Sequence, residues 1–278
     1  LAILESDGEL LQQVEKAAEA RYRSGMGNQQ DLLQAQLERT KLLREITMHH
    51  LEVAKLQAQI KQLLNRAQSS PDIEPAGLFE TPLEYSFEQL LSATKTQNPE
   101  ISGAGKMVER QNLQVDLARK DFYPDFNLQY MWQRTDPTKF RAYYMLSFGV
   151  RVPIYRGRRQ RPELAQAEAE LNRSRSEYEA QSQQVTFELR TEYETAQKTA
   201  ELLKVYRERL LPQARAEFQA GAAAYQNNRQ DFQALLASFL DVLRLDEEYW
   251  QRAAEHETAL ARLEELTGLL LHEEGAKK

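Results

Sequence analysis

Two adjacent histidines in this 278-residue sequence are the residues whose type and spacing most directly suggest metal binding. His49 and His50 stand near Glu45 and Glu52, and Glu45 and His49 share one face of a predicted helix because they are four residues apart. Imidazole and carboxylate groups are both zinc ligands. The chain has no cysteine, no further histidine stands near this pair, and His256 has no comparable neighbours. We therefore interpret the pair as part of a solvated helix face and expect no metal site and no cofactor.

The sequence also lacks the common catalytic motifs. It contains no HExxH metal motif, no GxSxG nucleophile elbow, no P-loop and no GxGxxG dinucleotide motif. With 36 basic and 42 acidic residues the formal charge is −6, which argues against general nucleic-acid binding. We expect a protein that is not an enzyme and has no nucleic-acid partner.

Long helices must position whatever site the chain has, because apolar residues recur with a helical period along most of it. The predicted helices cover residues 6–24, 30–65, 86–96, 100–121, 158–219 and 229–267. Pro212 predicts a kink in the fifth of these helices. The start of that helix carries a narrow stripe, typical of a coiled coil rather than of a thick globular core. Its residues are Leu164, Leu171, Tyr178 and Val185, continued by Tyr193, Ala196, Ala200 and Leu203.

Two runs with a period of two interrupt the helices, on either side of a polar loop at 134–142. Their alternation predicts a β-hairpin with one apolar and one polar face. Either a soluble hairpin packs its apolar face on a core, or a transmembrane hairpin turns that face to lipid. The apolar face includes Leu128, Tyr130, Trp132, Leu146, Phe148 and Val150, and the run continues to Ile154. The polar face includes Asn127, Gln129 and Arg151.

The sequence also repeats a pattern of helix, glycine turn, aspartate and long helix. Tyr22–Gly25 matches Phe218–Gly221 at an offset of 196, and Asp31-Leu32 matches Asp231-Phe232 at an offset of 200. The second copy is therefore predicted to carry about four extra residues in its turn. We expect the two turns at 25–28 and 221–228, and an internal duplication indicates a repeated architectural unit.

Four sequence features, taken in order along the chain, resemble the TolC family of outer membrane efflux proteins. The first is the turn Tyr22–Gly27 with the following Asp31–Ala35, and the second is the helix break Asn98–Ile101. The third is the passage from Leu117–Arg119 through Tyr123–Phe126 into a strand. The fourth is Val152–Arg158, where a strand leads into a long helix.

This resemblance implies a mainly α fold: long antiparallel coiled-coil helices forming a segment of an α-barrel tunnel, plus one β-hairpin contributed to an outer membrane β-barrel. It also implies a homotrimer in the outer membrane of a Gram-negative-type bacterium, with most of the chain in the periplasm. The implied partners are a periplasmic adaptor protein, an inner membrane pump and outer membrane lipid. The implied activity is that of the channel component of a tripartite efflux pump, a passive exit duct for small molecules or ions.

Under this resemblance the chain divides into six parts. Because only the second repeat's hairpin is found, we expect an N-terminally truncated fragment. The parts are a distal helical hairpin of the first repeat at 1–67, a linker and equatorial segment at 68–99, a helix leading to the barrel at 100–123, a transmembrane-type hairpin at 124–156, a long helical hairpin of the second repeat at 157–268 and a tail at 269–278.

The resemblance assigns roles to three groups of residues. Gly25, Met26, Gly27 and Gly221 would lie at the periplasmic tips that meet the adaptor, although two ordinary interhelical turns would need the same glycines. Asn127, Gln129 and Arg151 would face the lumen, and the apolar side chains of the hairpin would face lipid. The arginines at 156, 158, 159 and 161 form either a solvated cationic collar or a boundary that influences permeating anions.

One other class of protein fits the same helices, a soluble periplasmic coiled-coil scaffold or an efflux adaptor. An adaptor would also carry several short strands in a lipoyl-like domain, whereas this sequence has one hairpin of membrane length. The cargo of a duct stays open between metal ions, drugs and other small molecules.

Overall fold

A computed structural model describes residues 2–73, 80–133, 143–154 and 157–271, and the predicted loop at 134–142 lies outside the described residues. The protein is mainly α with one antiparallel β-hairpin, which confirms the predicted fold class. Within the described ranges, no helix is both long and apolar enough to cross a membrane. The elements are α1 (Ala2–Arg23), α2 (Gln29–Leu63), α3 (Phe87–Gln97), α4 (Pro99–Lys120), β1 (Asp125–Gln133), β2 (Tyr143–Arg151), α5 (Gln160–Val205), α6 (Leu211–Gln226) and α7 (Phe232–Thr267).

The chain forms two compact units. The first contains α1 and α2 with residues 193–261, and it holds a core between α1, α2, α6 and α7. Aromatic rings dominate this core: Phe218 and Phe239 have ring centroids 5.8 Å apart, as do Tyr225 and Phe232. Its buried members are Leu11, Val14, Ala18, Ala35, Leu42, Ala214, Phe218, Tyr225, Phe232, Leu235, Leu236, Phe239 and Val242.

The second unit contains residues 85–192, with α3, α4 and the hairpin, together with the end of α7 at 262–270. Asn98 lies at the break between α3 and α4 and forms hydrogen bonds to both α4 and α7. Its Oδ1 accepts hydrogen bonds from the backbone amides of Glu100 (2.9 Å) and Ile101 (3.0 Å), which caps α4. Its Nδ2 donates to the carbonyl oxygen of Leu266 in the last turn of α7, at 3.0 Å. Gly268 then ends α7 with a φ of +71°.

The hairpin pairs Asp125 with Arg151 and Gln133 with Tyr143 at its two ends. β2 ends at Arg151, so the prediction that the alternating run continues to Ile154 is wrong. Pro153 has no amide hydrogen to donate to a strand ladder, which explains the early end.

The predicted kink near Pro212 takes the form of a π-helical segment, Tyr206–Leu210, that links α5 to α6. Pro212 has no amide hydrogen for the carbonyl of Glu208, so the regular ladder is interrupted there. The amide of Leu211 instead donates to the carbonyl of Tyr206, five residues back. In the predicted stripe, Leu171, Val185, Ala196 and Leu203 are buried, whereas Ala200 is exposed and Thr199 is buried beside it.

The predicted turn from Gly221 to Asn228 is wrong, because α6 continues to Gln226 and the turn covers only 227–231. Residues 222–224 are all alanine, the strongest helix former, and they carry the helix past the glycine. Gly221 itself is buried, and a Cβ there would lie 3.4 Å from Gln230 Nε2 and 3.5 Å from Ser238 Oγ. α6 therefore ends about two helical turns beyond residue 219, the position that matches the end of α1.

Asn98→Ala should lower the free energy of unfolding by about 2–3 kcal/mol, because it removes the cap of α4 and leaves the buried Leu266 carbonyl without its donor. Asn98→Ser is the matched variant, since its hydroxyl keeps the cap but does not replace the amide donor, and it should lose about half as much. Thermal denaturation of the purified intact protein measures both. Equal melting temperatures for wild type and Asn98→Ala would contradict this role.

Candidate functional site

The turn between α1 and α2 has a backbone that requires glycine. Gly25 has a φ of +75°, and the amides of Met26 and Gly27 both donate to the carbonyl of Arg21, each at 3.0 Å. A Cβ on Gly27 would lie 3.0 Å from the Cβ of Arg21, a tight contact that Arg21 would have to relieve by shifting. The predicted turn residues Gly25, Met26 and Gly27 are thus brought together, and Met26 is 64% exposed.

The turn between α6 and α7 lies beside the first turn. Asn228 adopts a positive φ of +59°, and Asp231 caps α7 by accepting a hydrogen bond from the amide of Ala234 at 2.8 Å. We call residues 24–28 and 227–231 together the paired turns. Gly221 lies outside them, one and a half helical turns before the end of α6.

Arg21 connects the paired turns. Its Nη1 donates to the carbonyl of Tyr225 at 2.9 Å, and its Nη2 donates to the carbonyl of Met26 at 3.1 Å and to Oδ1 of Asn228. Its guanidinium carbon lies 4.3 Å from the centroid of the Tyr225 ring, a cation–π contact. Sequence reasoning missed Arg21, because its partners in the second turn are more than 200 residues away. Its place four residues before a turn glycine was the available local signal.

A cavity of about 590 Å³ opens between the paired turns and is lined by residues of both. Arg21 and Arg229 line it together with Asp31 and Asp231, so its formal charges balance. Tyr225 is only 1% exposed, and its hydroxyl has no hydrogen-bond partner among the described residues. Burial, with a smaller contribution from Asp31, raises the pKa of the Tyr225 phenol, although Arg21 opposes this. The phenol therefore stays protonated and available as a donor.

A second contact joins the helices that leave these turns. The side-chain amides of Gln34 on α2 and Gln233 on α7 bond to each other in both directions, at 2.6 and 3.4 Å. Arg21 and this glutamine pair thus fasten the first repeat to the second within one unit.

The hairpin register places the predicted residues on two separate faces. The pairs Phe126–Val150, Leu128–Phe148, Tyr130–Leu146 and Trp132–Tyr144 form one face, which we call the apolar face. Its eight side chains are 48–71% exposed. Aromatic contacts across it join Phe126 to Phe148 and Tyr130 to Tyr144, with ring centroids 6.3 and 6.4 Å apart.

Asn127, Gln129 and Arg151 lie on the other face of the hairpin, as predicted by their alternation. Their cross-strand partners are Gly149, Ser147 and Asp125. Met131 and Met145 pair with each other on this face, so it is less polar at its centre than at its base.

The three histidines that the structure describes lie at separate places, His49 and His50 on α2 and His256 on α7. His49 and His50 are exposed on α2, and the described part of the chain contains no group of three or more His, Asp or Glu residues that could hold a metal ion. His256 is buried, and protein groups occupy both of its ring nitrogens. Nδ1 lies 2.9 Å from the carbonyl of Ala196, and Nε2 lies 2.9 Å from the carbonyl of Thr81.

The predicted arginine cluster is exposed at residues 158, 159 and 161, and Arg156 lies outside the described residues. Arg159 is paired with Glu163 through Nε and Oε1 at 3.0 Å.

Comparison with known proteins places this geometry in context. A family model described as outer membrane efflux protein matches residues 90–269. No curated protein matches the sequence. Solved structures match over nearly the whole chain but at low identity, so they support the fold alone.

Three of these structures illustrate the match. The outer-membrane channel OprN is 18% identical with a TM-score of 0.85, and the match covers 97% of this chain and 62% of the OprN chain. CusC, studied for transmembrane channel formation, is 18% identical with a TM-score of 0.81, and the match covers 96% of this chain and 63% of the CusC chain. The outer membrane protein VceC from Vibrio cholerae is 17% identical with a TM-score of 0.74, and the match covers 95% of this chain and 63% of the VceC chain. This chain therefore spans less than two thirds of their length.

Arg21→Ala should loosen the paired turns, because it removes three hydrogen bonds and a cation–π contact. We expect amide hydrogen exchange in peptides covering 24–28 and 225–229 to accelerate by roughly tenfold or more, since a charged hydrogen bond contributes about 1.5–3 kcal/mol. Arg21→Lys is the matched variant: it keeps the charge but has no planar fork to reach several acceptors, so it should restore less than half of the protection. Unchanged exchange in Arg21→Ala would show that Arg21 does not hold the turns.

Proposed function

The chain belongs to the outer membrane efflux protein family, and from this premise we propose that it is part of the channel component of a tripartite efflux pump. In this proposal it contributes to a passive exit duct in the outer membrane of a Gram-negative-type bacterium. The energy for transport comes from an inner membrane pump, because the duct works by opening and closing rather than by chemistry. Most of the chain lies in the periplasm.

The observation that carries this proposal is the apolar face of the hairpin. Eight large apolar side chains on one face are left 48–71% exposed by the described residues. The leucine, valine and phenylalanine side chains among them would each gain about 1.5–3 kcal/mol on full transfer from water to an apolar medium. Strands of nine residues match the length that crosses a bilayer when tilted, and aromatic residues lie among them as in the girdles of membrane strands.

Membrane insertion of the hairpin requires further strands. Among the described residues, β1 and β2 each have one unpaired edge, and lipid offers no hydrogen bonds to unpaired backbone groups. A closed β-barrel with strands from several copies would satisfy those edges. In this proposal the full-length protein forms that barrel as a homotrimer. In that barrel Leu128, Tyr130, Trp132, Leu146, Phe148 and Val150 face outer membrane lipid, and Asn127, Gln129 and Arg151 face the lumen.

We place the contact with a periplasmic adaptor protein at the paired turns. Met26 is well exposed there, while Gly25 has a positive φ that side chains rarely adopt and Gly27 leaves little room for a Cβ. Gly221 is not part of this contact, because it is buried inside α6. Opening of the duct would require the two repeats to separate at Arg21 and at the Gln34–Gln233 pair, so these contacts belong to a closed packing.

Leu128→Arg should abolish stable membrane integration, because an arginine on the lipid face near the bilayer centre costs about 2–4 kcal/mol. Gln129→Arg is the matched control, since it adds the same residue one position along the strand on the lumen face, and it should leave integration unchanged. Fractionation of the intact protein, with and without detergent extraction, measures the outcome. A wild-type protein recovered from the periplasm without detergent, or equal integration of both variants, would contradict a lipid-facing hairpin.

Met26→Cys should crosslink to an adaptor through a short bifunctional reagent, and the absence of natural cysteines makes the site unique. Met48→Cys on α2 is the matched control, because Met48 is similarly exposed (59%, against 64% for Met26) but lies outside the paired turns. Crosslinking in cells, read by mass shift of the adaptor, should be at least several-fold stronger from position 26. Stronger crosslinking from position 48 would place the adaptor elsewhere.

A further inference from the structure

Basic residues concentrate where the hairpin joins the helices. In the described residues from 119 to 161 there are six basic residues and two acidic ones, Asp121 and Asp125, although the whole chain carries a net charge of −6. All six basic side chains belong to exposed residues of the second unit. We call them the basic collar: Arg119, Lys120, Arg151, Arg158, Arg159 and Arg161.

Three members of the basic collar have an acidic neighbour, two of them in ion pairs and the third across the two strands. Arg159 pairs with Glu163, Arg119 lies 3.4 Å from Asp116 and 3.8 Å from Glu168, and Arg151 stands opposite Asp125 in the hairpin register. Lys120, Arg158 and Arg161 have no acidic partner within ion-pair distance among the described residues. These three cations are therefore available to an external anion.

Two of these three cations, Arg158 and Arg161, do not stabilise the fold, whereas Lys120 lies in the last turn of α4, where a cation is favourable. Arg161 lies in the first turn of α5 and Arg158 just before it, at the end of the helix where the backbone carries partial positive charge. A cation there is unfavourable by a few tenths of a kcal/mol. Their presence at this position is better explained by a partner of opposite charge.

The basic collar adjoins the apolar face directly. Arg151 follows Val150, the last residue of that face, and Tyr123, which is 71% exposed, stands between Lys120 and the first residue of β1. A tyrosine between apolar and charged surface is typical of a membrane–water interface. Long lysine and arginine side chains lie along apolar surface while their charged ends reach the polar layer.

We propose that Lys120, Arg158 and Arg161 bind the phosphate groups of the phospholipids that surround the apolar face. Guanidinium groups match phosphate oxygens in a two-point geometry, and each basic residue near an anionic lipid surface adds to the attraction. This inference rests on the proposed insertion of the hairpin in the membrane. It adds a headgroup contact that sets the depth of the hairpin in the bilayer.

The test compares three additives on the detergent-purified intact protein: phosphatidylglycerol, a diacylglycerol with the same acyl chains, and inorganic phosphate. The dependence of melting temperature on additive concentration gives an apparent affinity. Phosphatidylglycerol should raise the melting temperature, and the other two should not. In the triple variant Lys120→Gln, Arg158→Gln, Arg161→Gln the affinity for phosphatidylglycerol should fall by roughly tenfold or more.

The control is a second triple variant, Lys95→Gln, Lys204→Gln, Arg209→Gln, which removes three exposed basic residues away from the collar and should bind like the wild type. Equal stabilisation by inorganic phosphate would mean a free-anion site and would overturn lipid recognition. Equal affinity of the collar triple and the wild type would also overturn it. A wild-type protein that needs no detergent would instead defeat the proposed membrane location, so the two failures are distinguishable.

Discussion

Eight large apolar side chains on one face of the hairpin are exposed, and the need to remove them from water is the constraint on which the proposed function depends. One face of the hairpin carries them in cross-strand register, and the described residues leave them exposed. Large apolar side chains are also exposed on the helices, among them Leu37, Leu43 and Leu56 of α2, which are 50–63% exposed. The apolar face differs from these because it lies on two nine-residue strands, a length that fits a membrane strand. Since only such short strands would contact lipid, a mean hydropathy of −0.67 is compatible with a membrane role.

The helices pack through narrow apolar stripes, which bury little surface per residue. Polar groups at the same interfaces are therefore also buried, and each needs a hydrogen-bond partner. Asn98 satisfies two amides of α4 and one carbonyl of α7 at once. Arg21 performs a similar task for the paired turns, where it joins backbone and side-chain acceptors of two repeats.

Duplication accounts for the arrangement at the paired turns. Both copies end a helix, turn and begin a long helix with a nearby aspartate, but they solve the turn differently. The first uses glycine at positive φ, and the second extends α6 and places Asn228 at positive φ. The extension of α6 amounts to about two helical turns, so Tyr225 lies on the same face of α6 as Phe218, and both are buried in the core.

The sequence by itself determined the elements and their order, because period and turn chemistry are local properties. Helical and strand periods predicted the helices and both strands of the described residues, with α5 and α6 as a single helix, and glycine spacing predicted the turn at Gly25–Gly27. Its errors were also local: Gly221 looked like a turn residue, but the following alanines and its close packing on α7 make it helical. Only the tertiary structure decided which side chains join distant segments, since Arg21 and Asn98 find partners more than 160 residues away. No local sequence pattern encodes these contacts, because they depend on how segments that are distant in the sequence pack in space.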